Sequence, residues 1–287
     1  MIRLERWTPW VFVVIWSSGF VVAKYAFEYS DVLFFLGIRL LIAAAILASI
    51  TLALGQTLRL NRNQLCVSLI LGITLQGLYL GGTWEAIANG SPAGIASVVV
   101  STQPILVSIL AFVILKESLH RNQIVGLLLG FAGVLLVLFP ALSERGTMTQ
   151  VALVLLILGL SGSTSATLIQ KKYGNNSPLL AGTTFQFLFA GLILTAISFA
   201  TERTFIEWNL QSSLAMAWAV IVTSIIAVVA LLWMLQRGSA AKVSALLYLV
   251  PPMTSVQAWI LFDEKLNAQT VIGIAMTALG VALVQRS

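Results

Sequence analysis

One stretch of this chain is written twice, and the repetition limits the folds open to it more than any other feature. Gly90 to Val137 reads GSPAGIASVVVSTQPILVSILAFVILKESLHRNQIVGLLLGFAGVLLV, and after Gly238 the pattern returns as GSAAKVSALLYLVPPMTSVQAWILFDEKLNAQTVIGIAMTALGVALV. Gly90, Ser91, Ala93 and Pro104 recur 148 positions later as Gly238, Ser239, Ala241 and Pro252. One residue is then dropped. At an offset of 147, Glu117, Leu119, Gly126, Gly133, Val134, Leu136 and Val137 recur as Glu264, Leu266, Gly273, Gly280, Val281, Leu283 and Val284. Chance matches in apolar sequence fall mostly on Leu and Val, so agreement at Gly, Pro and Glu marks a duplicated unit in each half of the chain, 1–146 and 147–287.

A chain that is 59% hydrophobic and 9% charged has too little polar surface to coat a water-soluble globule of 287 residues. It reads as an integral membrane protein. Apolar runs long enough to cross a hydrocarbon core of about 30 Å as helices fall near 9–26, 32–54, 65–88, 92–115, 123–140, 150–170, 179–199, 213–236, 241–262 and 269–285. The expectation is an all-α fold of ten transmembrane helices, five per repeat, with no soluble domain. The runs are continuous, whereas a transmembrane barrel would show short alternating segments, so helices are expected in place of strands.

An odd number of spans per repeat makes the second unit enter the membrane from the opposite side, so the halves are expected to be inverted copies around a central cavity. The basic residues offer a separate check. With a cytoplasmic N-terminus, the inner side carries Arg3, Arg6, Arg59, Arg62, Lys116, Arg121, Lys171, Lys172, Arg237, Lys242 and Arg286. The outer side carries Lys24, Arg145, Arg203 and Lys265, and Arg39 falls within a span. Eleven against four places both termini inside. The net charge of +6 is thus explained by helix orientation, and no nucleic-acid signal is present. Arg3 and Arg6 ahead of an apolar run resemble a signal peptide's start, but the first span has a counterpart in the second repeat. Trp7, Trp10 and Trp208 sit at span ends as interfacial anchors.

Polar residues inside the spans are the candidates for function. The sixth span reads Leu160-Ser161-Gly162-Ser163-Thr164-Ser165-Ala166-Thr167, and its repeat partner contains Trp16, Ser17 and Ser18. Two hydroxyl-rich faces near the midplane fit a site at a repeat interface, with packing as the alternative. Pro104 and Pro252 remove an amide donor at matching depth and are expected to bend the fourth and ninth spans. Beside the first bend lie Ser101, Thr102 and Gln103. Trp16, Tyr79, Trp84 and Tyr248 share spans with polar residues and could wall an organic solute. Arg39 is on the order of 12 Å deep at helical rise and needs a partner or water. Glu85, the one acid inside a span, is the natural partner or a proton carrier; Glu28 is the next. Gly126, Gly130 and Gly133, answered by Gly273, Thr277 and Gly280, read as close helix packing within or between protomers. Glu117 and Glu264 read as caps for the helices that follow them.

Catalysis finds little support. Gly159-Leu160-Ser161-Gly162 has the form seen around an intramembrane serine nucleophile, yet the one histidine, His120, falls in a loop. The single Cys66 forms no internal disulfide, and no metal cluster, phosphate loop or cofactor motif is present.

Taken together, the chain resembles the EamA-type ten-helix exporters of the drug/metabolite transporter superfamily. The resemblance rests on Trp16-Ser17-Ser18-Gly19-Phe20 with Lys24, then Arg39, then Pro104 to Glu117 and Gly126 to Gly133 with their second-half copies. It implies a basket of two inverted five-helix units in a bacterial inner membrane, exporting small metabolites such as amino acids, with YddG-like members handling aromatic amino acids and organic cations. Ser101-Thr102-Gln103-Pro104 stands where those members have aromatic residues, which argues against strict aromatic specificity. The reading is therefore a small-molecule exporter working by alternating access, monomeric or dimeric in the lipid bilayer, without cofactor or metal. Trp16, Ser17, Tyr79, Trp84, Ser101, Gln103, Ser163 and Tyr248 are expected to contact substrate, Arg39 and Glu85 to pair or couple protons, and Pro104 and Pro252 to act as hinges. The competing readings are a lipid-handling or assembly subunit, and a carrier for another metabolite such as a sugar or nucleotide derivative.

Overall fold

Long apolar runs leave the backbone in lipid nothing to hydrogen-bond but itself, so helices are the form such a chain takes. The structure is a computed structural model. It describes residues 2–91, 93–142, 149–262 and 268–286, with the side chains of residues 2–6, 20–21, 23–27, 93–95, 140–142, 175, 258 and 261–262 outside the description. Among the described residues the elements are helical, apart from one antiparallel bridge between Ser30 and Ile206.

In chain order the helices are α1 (Ile2–Tyr29), α2 (Val32–Ala53), α3 (Arg62–Ala88), α4 (Ala96–Leu115), α5 (Arg121–Leu142), α6 (Gln150–Tyr173), α7 (Leu179–Ala200) and α8 (Leu210–Arg237). They continue as α9, formed by Ala240–Ala245, the 3-10 turn Leu246–Leu249 and Val250–Phe262 in succession, and α10 (Ala268–Arg286). Among the described residues eight helices, α2 to α8 and α10, are long and apolar enough to cross a membrane. Both α1 and α9 contain residues whose side chains are outside the description, and both stand outside that count. Phe112, Val113, Leu128, Val154, Leu192 and Ile260 are exposed on the outside of the bundle, where only a lipid solvent makes them stable.

Two long pairings organise the bundle: α2 runs along α7, and α5 runs along α10. Around the first pair Phe35, Leu36, Leu40, Phe187 and Leu194 form a buried core, and near the second Phe12, Val134, Leu235, Tyr248 and Val281 form another. The glycines singled out in the sequence make the α5/α10 contact possible, within one chain. A methyl group built at Gly126 would lie 2.6 Å from the Gly280 carbonyl oxygen, and one at Gly133 would lie 2.6 Å from the Thr277 nitrogen. The backbones therefore touch where any side chain would hold them apart.

Three features mark α3, α4, α8 and α9 as irregular. Gly72–Gly81 in α3 and Ala219–Ile226 in α8 are wound as π-helix, and these stretches start 147 residues apart. Helix α4 is interrupted at Ser101 and Thr102, and its second part begins with Pro104 at the first turn. Helix α9 tightens into its 3-10 turn just ahead of Pro251 and Pro252. A proline withholds an N–H and crowds the turn before it, which accounts for both breaks. Hydroxyls inside the spans mostly donate back to their own helix: Thr51 to the Leu47 carbonyl at 2.7 Å, Ser108 to Pro104 at 2.7 Å and Ser198 to Leu194 at 2.9 Å. That is how polar side chains are accommodated in an apolar layer.

The two ends of the bundle are tied differently. At one end the bridge between 30 and 206 joins the loops after α1 and α7, and Arg203 pairs with Glu85. At the other, Lys171 Nζ donates to the Gly238 carbonyl at 2.6 Å and the Ala240 amide donates to Glu117 Oε1 at 3.0 Å. Glu117 thus caps α9, whereas the sequence reading had it cap α5. The α5 start is served by Gln123, whose side chain accepts from the His120 amide at 3.0 Å. Glu264, Lys265 and Arg145 lie outside the described residues, as do the side chains of Arg3, Arg6 and Lys24.

A buried cavity walled by Trp16 and Tyr79

Between these pairings lies a cavity of three adjoining lobes, each bordered by Trp16 of α1 and Tyr79 of α3. The first lobe, about 560 Å³ of empty space, adds Arg39, Gln76, Thr83, Trp84 and Thr223. The second, about 780 Å³, runs past Ile87, Ala96 and Leu138 to Ser101, Pro251, Thr254 and Ser255. The third, about 290 Å³, is bordered by Gln103, Ser163, Thr167 and Ser244. Apolar walls with a few placed polar groups are what a small-solute site requires.

The expected site residues divide. Trp16, Tyr79, Trp84, Ser101, Gln103 and Ser163 border this cavity. Gln103 Nε2 donates to the Ser163 carbonyl at 3.3 Å and to Thr167 Oγ1 at 3.2 Å, tying the α4 break to the hydroxyl face of α6. Ser17 and Tyr248 are not among the bordering residues. Ser17 is fully buried and donates to the Val13 carbonyl at 2.6 Å and the Val250 carbonyl at 3.3 Å, fastening α1 to α9. Tyr248 is fully buried, its ring 6.5 Å from that of Phe131 and closely packed on Gly130. Pro104 and Pro252 are both buried, and the proline at the cavity wall is Pro251. Ser161 is exposed and back-bonds to Ile157, while His120 contacts Ser118, so the serine motif and the histidine do not meet.

Arg39 and Glu85 are not brought together. Glu85 pairs with Arg203 at 2.5 Å and borders a separate apolar groove with Leu33 and Leu155. Glu28 is exposed. Arg39 turns inward instead: Nε donates to Ser224 Oγ at 2.7 Å and Nη2 to Thr223 Oγ1 at 2.8 Å. Its guanidinium carbon lies 5.9 Å from the Trp84 ring centroid, and Trp84 stacks on Phe35 at 6.5 Å. Sequence reading missed Gln76, Thr83 and Thr223. The available signal was their spacing: Gln76, Tyr79 and Thr83 follow at three and four residues, one face of a helix, and Thr223 is Gln76 displaced by 147.

A multi-pass helical membrane protein with an interior, aromatic-walled cavity is built as a carrier is built. Comparison with known proteins agrees. The EamA-like transporter family model matches residues 10–139 and again residues 150–286. The chain belongs to the EamA-like transporter family. It is 29% identical over 288 residues to the "Uncharacterized transporter YvbV" of Bacillus subtilis (strain 168), covering 95% of this chain and 88% of that protein. It is 24% identical over 296 residues to the "Probable amino-acid metabolite efflux pump" of Salmonella typhimurium (strain LT2), covering 98% of this chain and 94% of that one. A crystal structure at 15% sequence identity superposes with a TM-score of 0.82 over 97% of this chain and 96% of the other, sharing the fold.

Proposed function

We propose that the protein exports amino acids or similar small metabolites across a bacterial inner membrane by alternating access, with both termini cytoplasmic. In this reading ten helices span the membrane as two inverted five-helix repeats, 1–146 and 147–287. The observation that carries it is the Trp16/Tyr79 cavity, whose walls come from both halves: Arg39, Gln76 and Ser101 from one, Thr223, Leu247 and Thr254 from the other. Support for the inversion comes from the 147-residue offset, which relates α2 to α7 and α5 to α10, the pairs that pack most extensively. The π-wound stretches of α3 and α8 obey the same offset. A seam with these pairings lets the halves rock about a fixed site.

The resemblance to an efflux pump named for amino-acid metabolites supports the substrate class. Pro104 and the α4 break at Ser101–Thr102 are the proposed hinge beside the cavity, with Pro252 its counterpart. Glu85 couples to protons only by releasing Arg203. Purified protein in liposomes, assayed for uptake and release of labelled amino acids with and without a pH gradient, tests the reading. Solute flux is expected in both arms, larger with the gradient if Glu85 is a carrier. A membrane that stays impermeant to every solute removes the carrier and leaves a lipid-handling or assembly role.

A further inference from the structure

The first lobe of the cavity holds an electrostatic mismatch. Arg39 is 5% exposed, and its recorded hydrogen-bond partners are two neutral hydroxyls, those of Thr223 and Ser224. The one ion pair among the described residues joins Glu85 to Arg203. The other described acids are committed or distant: Asp31 accepts from the Phe205 amide, Glu117 from the Ala240 amide, and Glu28, Glu202 and Glu207 are exposed at the end of α1 and in the loop between α7 and α8. Across all three lobes Arg39 is the single charged residue on the wall. A guanidinium has five donors and recognises a carboxylate with two parallel bonds. Two of the five donors are used here.

Two further polar groups beside it lack partners. Gln76 Nε2 and Thr83 Oγ1 are buried, neither makes a hydrogen bond, and both residues border the same lobe, at 3% and 5% exposure. Buried donors without acceptors are strongly unfavourable unless something fills the space between them. A cation, an amide N–H and a hydroxyl bordering one lobe offer the donors that an anion with two oxygens accepts from. The next wall is Trp16, Tyr79 and Leu75, complementary to an apolar body. The position 147 residues beyond Arg39 is the neutral Gln186, so the charge belongs to one half alone.

We propose that Arg39, with Gln76 and Thr83, is the subsite for the carboxylate of an organic solute, and that the carrier selects carboxylate-bearing solutes over cationic amines. This rests on the carrier reading for its consequence, but the subsite is tested by binding alone. The full-length protein in detergent is titrated with two matched series: 3-phenylpropionate, 3-phenylpropanamide and 3-phenylpropylamine, and the shorter isovalerate, isovaleramide and isopentylamine. The shift in thermal unfolding midpoint gives each apparent affinity. In at least one series the acid binds ten times or more tighter than its amide, and the amine binds no tighter than the amide. Arg39→Gln brings the acid-to-amide ratio to about one, and Arg39→Lys keeps part of it. Thr83→Val, which preserves side-chain volume, lowers acid affinity several-fold and amide affinity by less.

Equal binding of acid and amide in both series overturns the proposal. So does an unchanged ratio in Arg39→Gln, or, where that variant does not fold, in Thr83→Val combined with Gln76→Leu. Sodium chloride or sodium phosphate at matched ionic strength producing the same shift would assign the subsite to inorganic anions and equally overturn it. Acid binding without flux in liposomes would keep the subsite and remove the carrier, whereas flux of amines with no acid preference would do the reverse.

Discussion

At the scale of single residues, Trp16 and Tyr248 answer differently to the same expectation of substrate contact. Trp16 borders every lobe of the cavity, so Trp16→Ala is expected to reduce solute flux at low concentration at least tenfold, equivalent to about 1.4 kcal/mol of binding. The check is initial-rate flux in liposomes, with the unfolding midpoint followed to separate the loss of a cavity wall from the loss of packing against Phe12. Tyr248 is sealed in the core beside Phe131, and its hydroxyl makes no hydrogen bond. Removing a buried hydroxyl that has no partner relieves a desolvation penalty of about 1 kcal/mol or more. Tyr248→Phe should therefore unfold at the same or a higher temperature and transport as before; a drop in flux would return Tyr248 to the site.

Among the elements, the α5/α10 contact and the α4 break carry opposite demands. The former must be tight. Gly133→Ala inserts a methyl where atoms of Thr277 and Gly273 already lie, and it should destabilise by about 1–3 kcal/mol, as overpacking does. Gly77→Ala is the control, since its added methyl would meet nothing nearer than 3.8 Å and Ala favours a helix over Gly. Thermal unfolding of both variants in one detergent reads the difference. The α4 break must yield. Pro104→Ala restores an N–H at the interruption and should lengthen the helix through Ser101 and Thr102. Flux is expected to fall several-fold with equilibrium binding unchanged, and equal flux would show that the break is not a hinge.

For the molecule as a whole, the test of inversion is topological. Leu54 and Thr201 are 147 residues apart, both exposed at helix ends. With exposed Cys66 replaced by Ser, Leu54→Cys and Thr201→Cys should react with an impermeant thiol reagent from opposite sides of the membrane. Labelling from one side would mean that the repeats are parallel. Ser101→Cys should react as well, because its position borders the cavity.

The membrane environment and the helical form were legible in the chain itself, because each follows from composition and period: apolar runs of span length have one stable backbone solution in lipid. The glycine faces were legible as contact surfaces for the same reason, small residues at helical spacing having no other common use. What the chain could not disclose is which polar groups meet. Arg39 and Glu85 are the natural ion pair on a line of text, yet α2 turns the arginine toward Thr223 and Ser224 while the end of α3 carries the glutamate to Arg203. Glu117 likewise caps α9, across the bundle, in place of its own neighbour. Partners far apart in sequence are chosen by how helices rotate and cross, and rotation is set by the sum of many packing contacts that no single segment encodes.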